Sequence, residues 1–285
     1  MKRLLNVLPL MVALGCGNDH TPPQTDIAPA PAAETSKTVI SSDPLAAIDE
    51  LGGKTVRNEQ DAVIQIDLDN TQCDDNSLTH LGHFPQLQEL WLDGTRVTDV
   101  GLAHLKQLKE LNLLTLNETA ITDSGLEQLT ALPQLQGLYL ESTQITDAGL
   151  VHLKALTELE QLSLIDDPIT DAGLVHLAEL TSLKTLAFGG SAITDAGLAH
   201  LTKLTELETL RLNNTKVTNA GLLHLQSLTK LTRLALGGTQ ITDTELVALI
   251  EQLPALEELY VPSTFITEAG VDEINKLLPN CEVYR

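Results

Sequence analysis

Leucine and isoleucine recur along most of the chain in a pattern with a period of 24 residues. The copy that begins at Leu135 reads Leu-Gln-Gly-Leu-Tyr-Leu-Glu-Ser-Thr-Gln-Ile-Thr-Asp-Ala-Gly-Leu and ends at Leu150. A Thr-Asp pair marks each copy, at Thr98-Asp99, Thr122-Asp123, Thr146-Asp147, Thr170-Asp171, Thr194-Asp195 and Thr242-Asp243, with Thr218-Asn219 and Thr267-Glu268 as variants. A fixed period of this length is typical of solenoid proteins.

Each copy predicts a short strand followed by a helix. Leu135, Leu138 and Leu140 alternate with polar positions, so we expect them to point into the core from a strand. Thr143 follows at a turn, where its hydroxyl can bond to the backbone. Thr146 then has the place of a helix N-cap, and the anionic Asp147 lies in the first turn, where the helix dipole favours it.

Apolar residues three apart continue the pattern and predict the inward stripe of the helix, at Leu150, Leu153 and Leu156. A glycine recurs early in this helix, although glycine there costs about 1 kcal/mol relative to alanine. Close approach of neighbouring coils would explain it. The glycines in question are Gly101, Gly125, Gly149, Gly173, Gly197, Gly221 and Gly270.

The Leu-x-x-Leu-x-Leu run at 135, 138 and 140, Thr143, and Ile145-Thr-Asp-Ala-Gly-Leu150 together resemble the leucine-rich repeat family. The resemblance covers residues 63–285 and implies an α/β solenoid of about nine repeats. Parallel strands would form its concave face and helices its convex face, in an open arc. The chain departs from the family where many members have Asn after the strand. Thr71, Thr95, Thr119, Thr143, Thr215, Thr239 and Thr264 stand there, with Asp167 and Ser191 in the other two copies.

The first 42 residues differ from the repeats. Residues 1–15 have a basic start and an apolar run, as in a secretory signal, and Ala13-Leu14-Gly15-Cys16 resembles a bacterial lipoprotein processing site. This resemblance implies a lipid on Cys16 and an outer-membrane anchor. A plain signal, with a periplasmic or secreted protein, and no export at all are the alternatives. Residues 16–42 are rich in Pro, Ala, Thr and Ser and are expected to form a disordered tether.

Residues 43–62 are interpreted as an N-terminal cap of the solenoid. Asp43-Pro44 is typical of a helix start, and Gly52-Gly53 would end that helix. Two strands are expected next, over 54–57 and 62–68.

The formal net charge is −22, from 17 basic and 39 acidic residues. Such a field repels phosphates, so nucleic-acid binding is not expected, and a protein partner would more readily be basic. Cys73 and Cys281 fall in the first and last repeats, too far apart for a disulfide, and are expected to be buried thiols. We expect a monomer without cofactors.

Candidate chemistry is sparse. No nucleophile elbow, P-loop, zinc-protease motif or paired-cysteine motif is present, so an enzyme is not expected. Six histidines share one repeat position, at His80, His104, His152, His176, His200 and His224. Equivalent side chains of stacked helices point the same way, so a structural role is favoured over a metal site.

The outward positions of the predicted strands are the candidate binding face. Trp, Tyr and Arg are the residue types most often found as binding anchors. Those expected on the face are Trp91, Tyr139, Arg211, Arg233 beside it and Tyr260, with the acids Asp67, Glu89 and Asp93 on the first strands. Asp69, Asn117 and Glu141 extend the acidic region. Alternatively, Trp91 could pack against the tether or the cap.

The sequence therefore predicts a non-enzymatic scaffold that is exported, lipid-anchored and bound to a protein partner. A module for cell-envelope glycan or Ca²⁺ is the first alternative, since Ca²⁺ takes several oxygen ligands. An intracellular adaptor resembling ubiquitin-ligase substrate receptors is the second.

Overall fold

The computed structural model describes residues 43–285. The signal, Cys16 and the tether lie outside these described residues. In the described part of the chain, no helix is long and apolar enough to cross a bilayer.

One sheet runs through residues 43–285 and takes its strands in chain order. The strands are β1 Lys54–Arg57, β2 Val63–Asp67, β3 Glu89–Trp91, β4 Leu113–Thr115, β5 Gly137–Tyr139, β6 Gln161–Ser163, β7 Thr185–Ala187, β8 Thr209–Arg211, β9 Arg233–Ala235, β10 Glu258–Tyr260 and β11 Glu282–Tyr284. β1 pairs antiparallel with β2, and every later neighbour pairs in parallel. The expected open α/β solenoid is confirmed.

One residue of each parallel strand, the middle one in the three-residue strands, faces the core. Leu114 lies between Leu90 and Leu138 in the sheet, each 24 residues away along the chain. All three side chains are fully buried, as are Leu135 and Leu140. Since aromatic residues make up only 2% of the chain, the core is built almost entirely from leucine, isoleucine and valine.

The convex side is less regular than the sequence suggests. Its α-helices are α1 Pro44–Glu50, α2 Asp99–Leu102, α3 Asp123–Leu129, α4 Asp171–Leu174, α5 Asp195–Leu198, α6 Asp243–Ile250 and α7 Glu268–Leu277. 3₁₀ turns cover Ser77–His83, Ala103–Gln107, Gly149–Ala155, Ala199–Leu201 and Asn219–Leu225. The expected helix of the 135 copy is thus a 3₁₀ turn. Leu156 lies just beyond it and is still buried, because the turn leads the chain directly back to the sheet.

The threonine of each Thr-Asp pair caps the convex turn, as expected. The Thr146 hydroxyl accepts a hydrogen bond from the Ala148 N–H at 3.3 Å. At α1, Asp43 accepts from the Leu45 N–H at 3.2 Å and Pro44 opens the helix. Thr242 is an exception, because its hydroxyl donates to the side chain of Glu245 at 3.1 Å instead.

The aspartate of the pair does more than complement a helix dipole. Asp123 accepts hydrogen bonds from the backbone N–H and the hydroxyl of Thr146 in the next repeat, at 2.8 and 2.7 Å. The same pair of bonds recurs from Asp75, Asp99, Asp147, Asp171, Asp195 and Asp243. Each capping threonine is therefore held by the preceding repeat.

This bond explains the repeated glycine. A Cβ atom on Gly149 would lie 2.3 Å from Asp123 Oδ1, far inside van der Waals contact. The expected close approach of neighbouring coils is confirmed, and the group that approaches is the bridging carboxylate.

The threonine after each strand bonds locally. The Thr95 hydroxyl donates to the Leu92 carbonyl at 2.6 Å. Thr71, Thr119, Thr215, Thr239 and Thr264 make the same bond. Thr143 differs, because both its N–H and its hydroxyl donate to Asp167 Oδ1, at 2.8 and 2.9 Å.

Cys73 and Cys281 are buried free thiols, as predicted. Burial raises the pKa of Cys73 to about 12 and that of Cys281 to about 11. Both cysteines therefore act as small apolar residues near the two ends of the core.

Candidate functional site

The concave face of the sheet carries two rows of outward residues, on either side of the buried leucine row. The strand register places Gln65, Glu89, Leu113, Gly137, Gln161, Thr185, Thr209, Arg233, Glu258 and Glu282 in the first row. The second row holds Asp67, Trp91, Thr115, Tyr139, Ser163, Ala187, Arg211, Ala235, Tyr260 and Tyr284. All eight residues of the candidate site except Asp93 lie in these rows.

Two aromatic residues flank a threonine in the second row. Trp91 and Tyr139 stand on β3 and β5, and Thr115 lies between them on β4. Thr115 is only 4% exposed, and its hydroxyl has no hydrogen-bond partner in the described chain. The indole Nε1 of Trp91 is also buried without a partner. A buried polar group without a hydrogen-bond partner costs about 1–3 kcal/mol of folding free energy. The residues around Thr115 are therefore less stable than they would be with that group satisfied.

Tyr139 is held in position. Its hydroxyl donates to Oε1 of Gln161, in the first row of the next strand. Burial raises the pKa of Tyr139, and the charge of Glu141 adds to this effect. The phenol is therefore neutral at physiological pH and presents its ring to the concave face.

Glu89 lies two residues before Trp91 on the same strand and the same face. It is half-buried, and burial raises the pKa of its carboxyl group. No hydrogen bond or ion pair holds this carboxylate within residues 43–285. Asp67, in contrast, pairs with the exposed Lys54 at 3.3 Å.

Asp93 has a structural contact that the sequence did not suggest. It follows β3 and lies in a ladder of side chains at the strand ends. Its N–H donates to Asp69 at 2.8 Å, and its own carboxylate accepts from the backbone and the amide of Asn117, at 2.9 Å each. Asn117 in turn accepts from the Glu141 N–H at 2.7 Å. Burial, together with the charge of Asp93, raises the pKa of Asp69 to about 6.

Arginines occupy the other half of the face. Arg211 lies in the second row and has no ion pair within residues 43–285. Arg233 lies in the first row between Thr209 and Glu258, so it is diagonal to Arg211 rather than directly beside it. Its guanidinium pairs with Glu258 at 3.1 Å. The concave face is thus acidic at β2 and β3 and basic at β8 and β9.

Tyr260 is engaged with its neighbours. Its ring stacks on Tyr284, with ring centroids 4.4 Å apart, and its hydroxyl donates to Glu258 at 2.8 Å. Burial alone would raise the pKa of Glu258, but the hydrogen bonds from Tyr260 and Arg233 outweigh it and lower that pKa. Tyr260, Glu258 and Arg233 therefore form one network near the end of the sheet.

The six equivalent histidines are partly buried on the flank of the convex turns. Burial lowers the pKa of His176, whose Nδ1 has no hydrogen-bond partner in the described chain. Within residues 43–285, no group of three or more His, Cys, Asp or Glu side chains is placed to hold a metal ion.

Sequence reasoning assigned no role to two buried polar residues, Thr115 and Asp167. Thr115 looks like an ordinary strand residue, although the 24-residue period already places it between Trp91 and Tyr139. Asp167 replaces a turn threonine and is 2% exposed. Burial raises the pKa of Asp167 to about 7, and its Oδ2 has no partner in the described chain. The substitution of an acid in a row of threonines was the signal that could have identified it.

Comparisons with known proteins agree with this architecture. A family model described as leucine rich repeat matches residues 85–145. No curated protein sequence matches the chain. The structure of internalin C2 from Listeria monocytogenes is similar, with 27% identity, a TM-score of 0.56, and coverage of 72% of this chain and 81% of that one.

Two further solved structures show the same fold. An internalin, InlF, from Listeria monocytogenes is 20% identical over 85% of this chain and 86% of its own, with a TM-score of 0.57. The Arabidopsis receptor kinase HAESA, solved with a peptide hormone and a co-receptor, is 21% identical over 74% of this chain and 36% of its own, with a TM-score of 0.56. The fold is a leucine-rich repeat solenoid, a fold typical of protein-binding scaffolds.

Proposed function

We propose that this chain is a non-enzymatic scaffold that binds a protein partner on its concave face. The observation that carries the proposal is a set of three residues on one rigid sheet. Trp91 and Thr115 have polar groups without hydrogen-bond partners in the described chain, and Arg211 forms no ion pair there. Rigid elements that display aromatic and arginine side chains are the usual basis of protein recognition. The leucine-rich repeat fold supports this class of function.

The proposed partner is basic where it meets β2 and β3. Asp67 and Glu89 lie on these strands, and the chain as a whole has a formal net charge of −22. A field of this sign speeds encounter with basic partners and repels acidic ones.

We also propose export and a lipid anchor at Cys16, on the pattern of residues 1–16. Several acyl chains on one cysteine would hold the protein firmly, at about 0.8 kcal/mol per buried CH₂ group. The test is the intact mass of the mature protein and its distribution between membrane and soluble fractions. An acylated Cys16 is expected, and Cys16→Ser is expected to move the protein to the soluble fraction. A mature protein that begins elsewhere would contradict the anchor.

The binding face is tested by chemical crosslinking in the native envelope, followed by affinity capture. A Trp91→Ala/Tyr139→Ala variant is compared with wild type and with Leu223→Ala/Phe265→Ala, which removes exposed apolar side chains elsewhere. Capture of one protein by wild type and the control, with loss in the Trp91/Tyr139 variant, is the expected result. Equal capture by all three would overturn the concave-face proposal. Recovery of a cell-envelope glycan in place of a protein would show that the proposed ligand class is wrong.

A further inference from the structure

Side chains along the second row between β3 and β8 are large on three strands and small on the other three. Trp91, Tyr139 and Arg211 project from the row, while Thr115, Ser163 and Ala187 lie between them and are at most 4% exposed. The small residues form a floor and the large ones stand above it. An extended chain can therefore lie across these strands with its backbone close to the sheet.

The two ends of this stretch carry opposite charges that form no ion pair within residues 43–285, although the charge of Arg211 also acts on Glu258. Glu89 stands beside Trp91 at one end, and Arg211 stands at the other. A third group without a partner is the Thr115 hydroxyl, which is nine-tenths or more buried between the two aromatic residues. The charges and the buried hydroxyl are independent observations, and both indicate a polar ligand.

We propose that the concave face binds an extended peptide segment with a basic side chain at Glu89 and Trp91 and an acidic group at Arg211. This inference rests on the proposed function, since it specifies the part of the protein partner that the face contacts. A lysine or arginine side chain can stack on the Trp91 ring while its charge meets the Glu89 carboxylate. The guanidinium of Arg211 binds a carboxylate through two parallel hydrogen bonds.

The spacing fixes the length of the segment. Five strand steps separate β3 from β8, and strands lie about 4.8 Å apart, so the two charged ends are roughly 24 Å apart. An extended peptide rises about 3.4 Å per residue and spans this distance with about seven residues. The basic and acidic groups of the segment therefore lie about six to eight residues apart in its sequence.

Selection from a random peptide library tests the inference without knowledge of the natural partner. Displayed twelve-residue peptides are selected on the immobilised full chain, and the enriched peptides are synthesised and measured by fluorescence anisotropy. Enriched peptides are expected to share one basic and one acidic residue at that separation. Trp91→Ala is expected to lower their affinity at least about tenfold, as for a central binding anchor.

Charge reversal tests the direction of the segment. Arg211→Glu is expected to weaken the selected peptides by about tenfold or more, and replacement of the peptide's acidic residue by lysine is expected to restore most of the loss. Glu89→Arg is expected to act in the same way on the basic end. Lys154→Glu and Glu127→Arg are matched charge reversals at exposed positions on the convex side and should change affinity less than about twofold.

The outcomes separate this inference from the proposed function. Peptides that need Trp91 but carry no spaced charges would overturn the segment proposal and leave the concave-face proposal standing. Peptides that bind equally well to the Trp91, Glu89 and Arg211 variants would overturn both. Selection that enriches no peptide would overturn the segment proposal, while the envelope capture experiment would still decide on the face.

Discussion

Asp123 and Thr146 are 23 residues apart in sequence, yet the carboxylate of one accepts both hydrogen bonds that the other can donate. The same arrangement recurs along the convex side of the solenoid. Each capping threonine therefore makes a hydrogen bond within its own turn and further hydrogen bonds to the preceding repeat.

Replacement of Asp123 by alanine should therefore destabilise the solenoid by about 2–4 kcal/mol, since two hydrogen bonds to a charged acceptor are lost. Asp123→Asn should cost less than half as much. The chain already has such an amide at Asn219, which accepts from the Thr242 N–H at 2.9 Å and donates to its hydroxyl at 2.7 Å. Urea unfolding followed by circular dichroism measures both. The exposed Glu158→Ala variant is the control, and an equal loss from all three would contradict the bridging role.

Gly149→Ala should also destabilise the protein, by about 1–3 kcal/mol, although alanine favours helices. The added methyl group would meet the Asp123 carboxylate and force the two coils apart. Val151→Ala is the matched control, because Val151 lies in the same turn and its side chain is exposed. Thermal unfolding should show a lower Tm for Gly149→Ala and little change for the control. Stabilisation by Gly149→Ala would show that the coils can separate freely.

Asp167 should make the protein less stable as the pH rises from about 4 to about 7. Burial raises the pKa of this carboxyl from 3.8 to about 7 in the folded chain, so the folded state keeps its proton across a range where the unfolded state has lost it. Stability that depends on this proton is complete below the unfolded pKa and is lost as pH rises through the folded pKa. The loss amounts to roughly 3–4 kcal/mol.

Asp167→Asn removes the titrating group but keeps an acceptor for Thr143. Urea unfolding across pH 4–8 should show a flatter pH dependence and higher stability at pH 8 for this variant than for wild type. Asp69→Asn is the comparison, since burial raises the pKa of that carboxyl to about 6 and should give a separate, smaller contribution. Identical pH profiles for wild type and Asp167→Asn would contradict the prediction.

Thr115→Val should stabilise the protein by about 1–2 kcal/mol, because valine has the same shape and lacks the buried hydroxyl that has no partner. Thr119 lies in the turn after β4, and its hydroxyl donates to the Leu116 carbonyl at 2.5 Å. Thr119→Val should therefore destabilise the protein by about 1 kcal/mol. The pair is well matched, as both threonines are buried in the same repeat. Fluorescence of Trp91, the single tryptophan, reports unfolding beside the first site. Destabilisation by both variants would mean that Thr115 has a hydrogen-bond partner in solution.

The repeat pattern was sufficient to predict the fold, because burial repeats with the same period as the leucines. Only one strand register buries Leu138 and all its equivalents, and that register fixes which residues face outward. The threonine N-caps, the buried thiols and the close approach of coils at the glycines were predicted from the same repeat pattern.

The individual contacts of the site were not predictable in the same way. The diagonal placement of Arg233 is an exception, since the 24-residue period already pairs Arg211 with Ala235. The Asp123–Thr146 bond joins two repeats, so no pattern within one repeat indicates it. The burial of Asp167 depends on how closely its neighbours pack. Those are properties of side-chain packing between repeats, which the sequence period does not encode.

The bridging aspartates also bear on how such a chain could lengthen or shorten during evolution. Most units offer a carboxylate to the unit after them and a threonine to the unit before them, and Asn219 offers an amide in the same place. Loss or duplication of one whole unit joins a carboxylate to a threonine of the same kind, so the junction is as well bonded as the ancestral one. A change of another length keeps the junction only where a loop absorbs it, as for the extra residue between Thr242 and Thr267, where Asp243 still accepts both hydrogen bonds from Thr267. The units are interchangeable, and the solenoid can be resized without a new junction having to evolve.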